Sequence, residues 1–526
     1  MGPVYLFGIP SGNDQSQHYQ FAWTVYNSVA KGDVYPSFAA ETNHGFGDYG
    51  LRFYPPLTYY VLAGLRAVTG DWYAATLIAL TAVFFIGALG VYLWRRDLFE
   101  ERTALIAAAL YTFIPYHLNE IYNNFLLAEF FATAVLPFCF LYLHRTLREP
   151  VLRNILSLAA ACSLLLLTHL PLTLIGGIAM GVFAVFSLRK ASLRQQITSL
   201  VAAAGLTAGL TCFYWSRWIT ELGWITHNTQ KYFSTTWDYR TNFLLVPSHW
   251  MSTGEDFLNL WFADLMLFAG LLVVLPAAVL FVTDRELRKK YLPLSAVFIV
   301  AAVLTTPLTR PLWDSVVFLQ KVQFPWRWLA IVSIVAAVLG AYGITRGLDA
   351  SRKKAVLIPG LVAASLPAVA FMTVTIVRGP VYVSRDKLNA DIRTFTDSTG
   401  CDCWWPIWAR SEAFGQKENV ISPGREITIE EWSPYVRSFS FSAGERTTAK
   451  IKAWYYPRWL AVGPGDFETK PDENGVLSVD IPTGPGGVSL MFVENGHTGG
   501  LISLICWFWV LSALAAGLIK SRRRTS

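Results

Sequence analysis

The chain has 526 residues, of which 53% are hydrophobic and only 15% charged, with 20 Trp, 23 Tyr and 34 Phe; its mean hydropathy is +0.39. Long, weakly charged runs recur near the ~20 residues that cross a hydrocarbon core, which excludes a string of soluble domains and points to a polytopic membrane protein. The net charge of +7 does not signal nucleic-acid binding, because the basic residues sit in short clusters between apolar runs, as the positive-inside rule arranges them.

The first stretch, Ser11 to Tyr60, crowds polar, ionisable and aromatic residues together: S-G-N-D-Q-S-Q-H-Y-Q, then G-D-V-Y-P, then G-F-G-D-Y-G-L-R-F-Y-P-P-L-T-Y-Y. Asp14 and His18 are four apart and share a face on a helical turn. Residues 1–20 lack a basic n-region, so no cleavable signal peptide is expected. Candidate spans follow at 72–94, 103–117, 121–143, 154–170, 171–187, 196–215, 262–283, 291–306, 326–346, 355–377 and 500–519, about eleven in all. Alternate crossings put the basic clusters Arg95–Arg102, Arg145–Arg153, Arg189–Arg194, Arg285–Lys290, Arg346–Lys354 and Lys520–Arg524 on one side, which is then the cytoplasm. That topology makes residues 1–71 an extracytoplasmic first loop and 72–378 the helical core. An upstream helix is expected to have carried the first loop across the bilayer.

Residues 379–499 are polar and alternate with period two, as in Ser438-Phe439-Ser440-Phe441 and Lys450-Ile451-Lys452-Ala453-Trp454. Gly and Pro turns separate the runs, which predicts an extracytoplasmic antiparallel β-sandwich. A final span at 500–519 and a basic cytoplasmic tail at 520–526 close the chain. Cys139, Cys162, Cys212 and Cys506 lie in apolar runs and read as small packing residues. Cys401 and Cys403 flank Asp402 and are open to a disulfide, half of a metal site or a structural pair.

This topology gathers the unusual polar residues toward one membrane face: Asp14, His18, Arg52 and Tyr54, then His117 and Glu120 where two spans meet, then His169, Arg217, Glu221 and Arg327. Glu129 falls on the order of 12 Å into the third span, and an intramembrane carboxylate is a functional candidate by default. Each also has a bland reading. His117 and His169 serve equally as interfacial residues, Arg327 after Pro325 as a helix-end anchor, and Tyr54-Pro55-Pro56 as a rigid turn.

The order of these motifs carries a resemblance. After the early Asp14 and His18 come G-D-V-Y-P and F-Y-P-P-L-T-Y-Y, then I-P-Y-H-L with L-A-E-F-F-A-T-A-V-L-P-F, then T-H-L-P and L-Q-K-V-Q-F-P-W-R-W-L. Together they resemble bacterial membrane proteins of the 6-pyruvoyl-tetrahydropterin synthase-related family, a branch similar to GT-C glycosyltransferases. The pterin label finds no counterpart in the residues, which show no soluble enzyme domain and no zinc-type His cluster.

The resemblance implies a GT-C-like fold in the bacterial cytoplasmic membrane and transfer of a sugar from a polyprenyl-phosphate donor to an envelope glycan or protein acceptor. It carries the catalytic carboxylate to Asp14, with His18 beside it, and offers His117 and Glu120 as second-loop groups. The leaving lipid phosphate calls for a guanidinium, from Arg327 first and then Arg52 or Arg217. Tyr54, Glu129, His169 and Glu221 are expected to support them. A divalent metal would serve the same end with Asp14, His117 and Glu120 as the available ligands, although no ligand set stands out. The basic residue common after the Tyr of the second-loop region is missing, since Asn123 and Asn124 follow Tyr122. The competing readings are a non-enzymatic lipid or glycan transporter, an envelope assembly factor, and a degenerate enzyme whose β-domain binds a partner.

Overall fold

A computed structural model describes residues 1–12, 14–98, 100–229, 238–247, 255–348, 381–396, 398–465, 467–494 and 497–525. Among these, six helices are long and apolar enough to cross a membrane: Trp72–Arg96, Leu127–Arg148, Leu170–Ser187, Leu260–Val282, Pro325–Arg346 and His497–Gly517. Two bent pairs raise the figure to eight: Lys190–Leu210 with Cys212–Trp224 at 74°, and Arg285–Leu304 with Pro307–Ser315 at 87°. The expected count of about eleven is therefore not reached among the described residues.

The reasons are local. The stretch 103–117 breaks before Pro115 into Glu101–Thr112 and Pro115–Tyr122. Twelve residues make a helix of roughly 18 Å, short of a ~30 Å core. The stretch 154–170 gives only Leu152–Leu166, because a new helix starts at Leu170 with His169 as its cap. The candidate span 355–377 lies outside the described residues.

Pro325–Arg346 is the central helix, with every side chain from Leu329 to Val332 and from Ile334 to Leu339 essentially inaccessible. It packs closely on Glu255–Thr283. Gly343 permits that approach, since a Cβ there would sit 2.5 Å from Ala277 N and 2.8 Å from Pro276 Cβ. Basic residues occupy the last turns of Trp72–Arg96 and Leu127–Arg148, while Asp71 caps the first of these helices and Glu129 lies in the first turn of the second. Charge thus separates along the bundle in the sense the helix dipoles favour.

The first 71 residues are largely helical rather than a simple loop. Gln15–Ala30 begins right after Asp14, and His18 N–H donates to Asp14 O at 3.0 Å, so the expected shared turn is present. Tyr54 is extended (φ −85°, ψ 136°), as a residue before Pro must be, and Leu57–Thr69 follows. A short ladder pairs β1 (Ile9–Pro10) with β2 (Tyr382–Val383), fastening this segment to the start of the polar region.

That polar region folds into eight strands: β3 (Val420–Ile421), β4 (Ile427–Trp432), β5 (Val436–Phe441), β6 (Thr447–Trp454), β7 (Trp459–Val462), β8 (Thr469–Pro471), β9 (Val476–Ile481) and β10 (Gly486–Phe492). They form two four-stranded antiparallel sheets, ordered β4-β5-β10-β7 and β3-β6-β9-β8. Phe439, Phe441 and Leu490 of one sheet share a buried core with Ala449, Ile451 and Val479 of the other. The period-two alternation has its counterpart here, since β5 buries every second residue. The same core continues into the first segment, where Tyr49 stacks on Tyr456 at 4.2 Å and Trp454 N–H donates to Phe46 O at 2.9 Å.

Gly343→Ala should overpack the central helix against backbone, costing about 1–3 kcal/mol. A lowered melting temperature of the purified protein in detergent is the expected result.

Candidate functional site

Three helices begin at one end of the bundle, and their first turns supply the centre of the site. Glu129 stands in the first turn of Leu127–Arg148, not deep in a span, because the chain turns at Phe125 (φ 50°) before this helix starts. Arg327 sits in the Pro325–Trp328 turn that leads into the central helix. His169 caps Leu170–Ser187, its Nδ1 accepting from Leu172 N–H at 3.3 Å.

Arg327 Nε donates to Glu129 Oε2 at 3.0 Å, and Tyr116 Oη donates to Glu129 Oε1 at 2.7 Å. Arg327 Nη1 donates to Val322 O at 2.8 Å and to Gln323 Oε1 at 2.6 Å. Nη2 makes no hydrogen bond among the described residues, and Arg327 lines the adjoining cavity. His169 Nε2 lies 3.9 Å from Glu129 Oε2. Tyr116 and Gln323 fall within motifs quoted above, I-P-Y-H-L and Q-K-V-Q-F-P-W-R. Only their three-dimensional placement reveals them as partners of this pair.

The cavity measures about 1940 Å³ and is lined by Asp14, His18, Tyr54, His169 and Arg327 among others. One part of its wall is apolar, from Val246, Leu260, Val317, Phe318, Phe324 and Trp326. Burial raises the Asp14 carboxyl above its usual range, opposed by the nearby Arg327 charge and reinforced by Glu129. Asp14 is thus within electrostatic reach of the arginine hundreds of positions away.

Glu120 is fully buried on the Pro115–Tyr122 helix, and neither carboxylate oxygen has a hydrogen-bond partner among the described residues. Burial and the Glu129 charge push its carboxyl well up, so it favours the protonated form. His117 faces elsewhere. Its ring packs edge-on against Tyr111 at 4.4 Å and also meets Phe84 and Phe130, and it does not line the large cavity. Asp14, His117 and Glu120 therefore do not converge as a ligand set, and no three His, Cys, Asp or Glu side chains among the described residues are arranged to hold a metal ion.

Arg52, Arg217 and Glu221 assemble a second cluster away from the cavity lining. Arg52 Nε and Nη2 reach Glu221 Oε2 and Oε1 at 2.8 and 3.0 Å, a bidentate pair with both side chains inaccessible. Tyr456 Oη donates to Glu221 at 2.8 Å, and Arg458 Nε donates to it at 3.0 Å. Arg52 Nη1 also donates to Glu494, and Arg217 Nη2 meets Glu494 Oε2 at 2.9 Å. The guanidinium of Arg52 is thereby consumed at the junction of first segment, helical core and sandwich.

Sequence reasoning did not single out Gln17, Gln20, His227, Lys321 or Trp404, all of which line the cavity. Trp404 stacks on His227 at 4.6 Å and meets Tyr54 edge-on at 5.8 Å. It directly follows Cys403, which forms a disulfide with Cys401, the first of the alternatives open for that pair.

Asp48 is fully buried, with Oδ1 accepting from Gly50 N–H at 2.7 Å and Oδ2 without a partner among the described residues. Burial pushes its carboxyl up to about 7. Between the ordinary value and that one the folded chain holds a proton the unfolded chain has lost, so stability falls as pH rises through this window. Melting curves from pH 4 to 8 should show this decline, and Asp48→Asn should flatten it and raise the melting temperature at pH 8. Breaking the second cluster should be costly too. Glu221→Ala leaves Arg458 without this carboxylate and Arg52 with Glu494 alone, an expected loss of about 3–5 kcal/mol visible as a lowered melting temperature.

Comparison with protein families matches residues 51–376 to the 6-pyruvoyl-tetrahydropterin synthase related domain, described as a membrane protein. No curated protein matches the chain in sequence. Among solved structures, the chain is similar to the archaeal oligosaccharyltransferase AglB from Archaeoglobus fulgidus in complex with an inhibitory peptide and a dolichol-phosphate, at 16% identity and TM-score 0.38, covering 74% of this chain and 52% of that one. It is also similar to ArnT from Cupriavidus metallidurans bound to undecaprenyl phosphate, at 12% identity and TM-score 0.33, covering 66% of this chain and 76% of that one. The chain spans about half the length of the archaeal enzyme. The family match extends over more than half of the chain, which therefore belongs to the 6-pyruvoyl-tetrahydropterin synthase-related family of membrane proteins.

Proposed function

We propose that the chain is a membrane glycosyltransferase that moves a sugar from a polyprenyl-phosphate donor to an envelope glycan or protein acceptor. It works at the extracytoplasmic face of the bacterial cytoplasmic membrane, with its basic tail in the cytoplasm. One observation carries the reading: Asp14 and Arg327 line a single cavity, and Arg327 offers an unbonded Nη2 to it.

In this reading Asp14 accepts the proton of the acceptor hydroxyl while that oxygen attacks the anomeric carbon of the donor. The bond from that carbon to the phosphate oxygen breaks, with inversion, and the polyprenyl phosphate leaves with the electron pair. Arg327 Nη2 donates to the charge that develops there. Glu129, Tyr116 and Gln323 fix the guanidinium plane, so little reorganisation accompanies the step. Partial neutralisation of Arg327 by Glu129 also lets the spent lipid phosphate depart. His18 and His169 line the cavity beside this pair, and the apolar wall suits the prenyl chain. The raised Asp14 carboxyl is a stronger base than an exposed aspartate.

A transporter would need polar groups along a path through the bundle. Here Asp14, Glu129, His169 and Arg327 gather at one end, with Glu129 in a first helical turn, which favours the enzyme.

Asp14→Asn should lower kcat by about 10²–10⁴-fold while the protein remains folded in the membrane. Undecaprenyl phosphate should bind the wild type and lose about tenfold or more in affinity in the neutral pair Arg327→Met with Glu129→Gln. In a deletion strain, mass spectrometry of lipid-linked sugars and envelope glycans should find accumulated donor and a missing decoration. Full transfer by the Asp14→Asn protein would remove this carboxylate from the chemistry.

A further inference from the structure

The same cavity has a second wall whose chemistry differs from the Arg327 end. The Gln15–Ala30 helix lines it with Gln17, His18 and Gln20, and the segment bearing Gly400 and Cys401 faces them. Gln20 and His18 are only 3% and 2% exposed, yet Gln20 Nε2 and His18 Nε2 have no hydrogen-bond partner among the described residues, and neither does Gln17 Nε2. Buried polar groups of this kind are ordinarily paired, so three unpaired nitrogens within a single helical turn that lines the cavity mark a place where a ligand supplies the partners.

Two of these side chains are fixed at their opposite ends. His18 Nδ1 bonds Tyr59 Oη at 2.9 Å, and Gln17 Oε1 accepts from Cys401 N–H at 3.1 Å. Gly400 N–H donates to Asn43 Oδ1 at 2.8 Å, so the facing segment is fastened to the first segment. The approach is close: a Cβ on Gly400 would lie 2.8 Å from Asp48 Oδ2 and 3.3 Å from Gln20 Oε1, so a side chain here displaces the ends of those two.

None of these groups carries a lysine or arginine contact among the described residues. The wall offers amides and an imidazole that burial keeps neutral. An anion would find no counter-charge here, and the carboxyl beside Gly400 is that of Asp48, which burial pushes up to about 7 and which holds its proton below that pH. A ligand with several hydroxyls and no formal charge satisfies such a row, each hydroxyl both accepting and donating.

We infer that Gln17 and Gln20, faced by Gly400 and Cys401 and with His18 on the same helical turn, form a subsite for an uncharged sugar ring. This rests on the transferase reading in so far as the ring belongs to one of the two substrates, the transferred sugar or the acceptor's terminal sugar. It specifies that reading as chemistry on a neutral saccharide.

The test is saturation-transfer NMR on the full chain in nanodiscs, using methyl glucoside, methyl galactoside, methyl mannoside and methyl N-acetylglucosaminide, with methyl glucuronide and a blocked tripeptide as alternatives. At least one uncharged glycoside should bind saturably. Gln20→Met and Gly400→Ala should each weaken it fivefold or more, with melting temperatures showing that at least one variant is folded; Gln17→Met replaces them if neither is. Binding displaced by an undecaprenyl-phosphate-linked hexose assigns the ring to the donor, and binding alongside it assigns the ring to the acceptor; both support the subsite. Preference for the glucuronide or the peptide, no saturable glycoside binding, or unchanged affinity in a folded variant would overturn it. Undecaprenyl phosphate is titrated in parallel, so a failure to bind it counts against the transferase reading while glycoside binding still supports the sugar subsite.

Discussion

The contact between Arg327 and Glu129 sets the geometry of this protein's polar end. Neither charge is tolerable alone in a helical core, where the unpaired cost is several kcal/mol. Together they are nearly inaccessible, with Tyr116 on the free carboxylate oxygen and Val322 and Gln323 on a second guanidinium nitrogen. This constraint joins the starts of the Leu127–Arg148 and Pro325–Arg346 helices, and His169 brings the start of a third to the same point. Three helix N-termini then share one end of the cavity, and their dipoles add to a field that favours an anion. One guanidinium nitrogen remains for a ligand because every other hydrogen-bonding direction is taken.

Around that centre the sandwich acts as scaffold as well as wall. Its aromatic core runs continuously into the first segment through Phe38, Tyr49, Tyr456 and Phe492. Beneath this lies the cluster of Arg52, Arg217, Glu221, Arg458 and Glu494, in which each carboxylate meets two guanidinium groups. Such a network is costly to break and weak as a source of net stability. Its effect here is to fix how the first segment meets the helical core, and so where Asp14, Gln17 and Gln20 stand.

A single cavity thus holds two chemistries. The Arg327 end combines charge with an apolar wall, and the Gln17–Gln20 side combines neutral donors with a fastened facing segment. A substrate whose charge is confined to one end and whose hydroxyls lie at the other matches that division.

The amino-acid order alone determined the membrane class, the antiparallel sheets and the helical turn joining Asp14 to His18, because each depends on local composition or on a period of two or 3.6. It also placed His169 and Arg327 near span ends, but it set Glu129 well inside a span where the structure has it in a first helical turn. It could not give the number of spans, since the break before Pro115 and the cap at His169 shorten runs that hydropathy alone treats as whole. Nor could it separate Arg52 from Arg327. Both sit next to aromatic residues in proline-containing motifs, yet the tertiary structure surrounds one with carboxylates and leaves the other a free nitrogen. His117 was lost to an aromatic pocket, and Gln17 and Gln20 were gained as cavity wall, for the same reason. What a polar side chain can do is decided by which of its atoms remain unbonded, and that count is made between residues hundreds of positions apart.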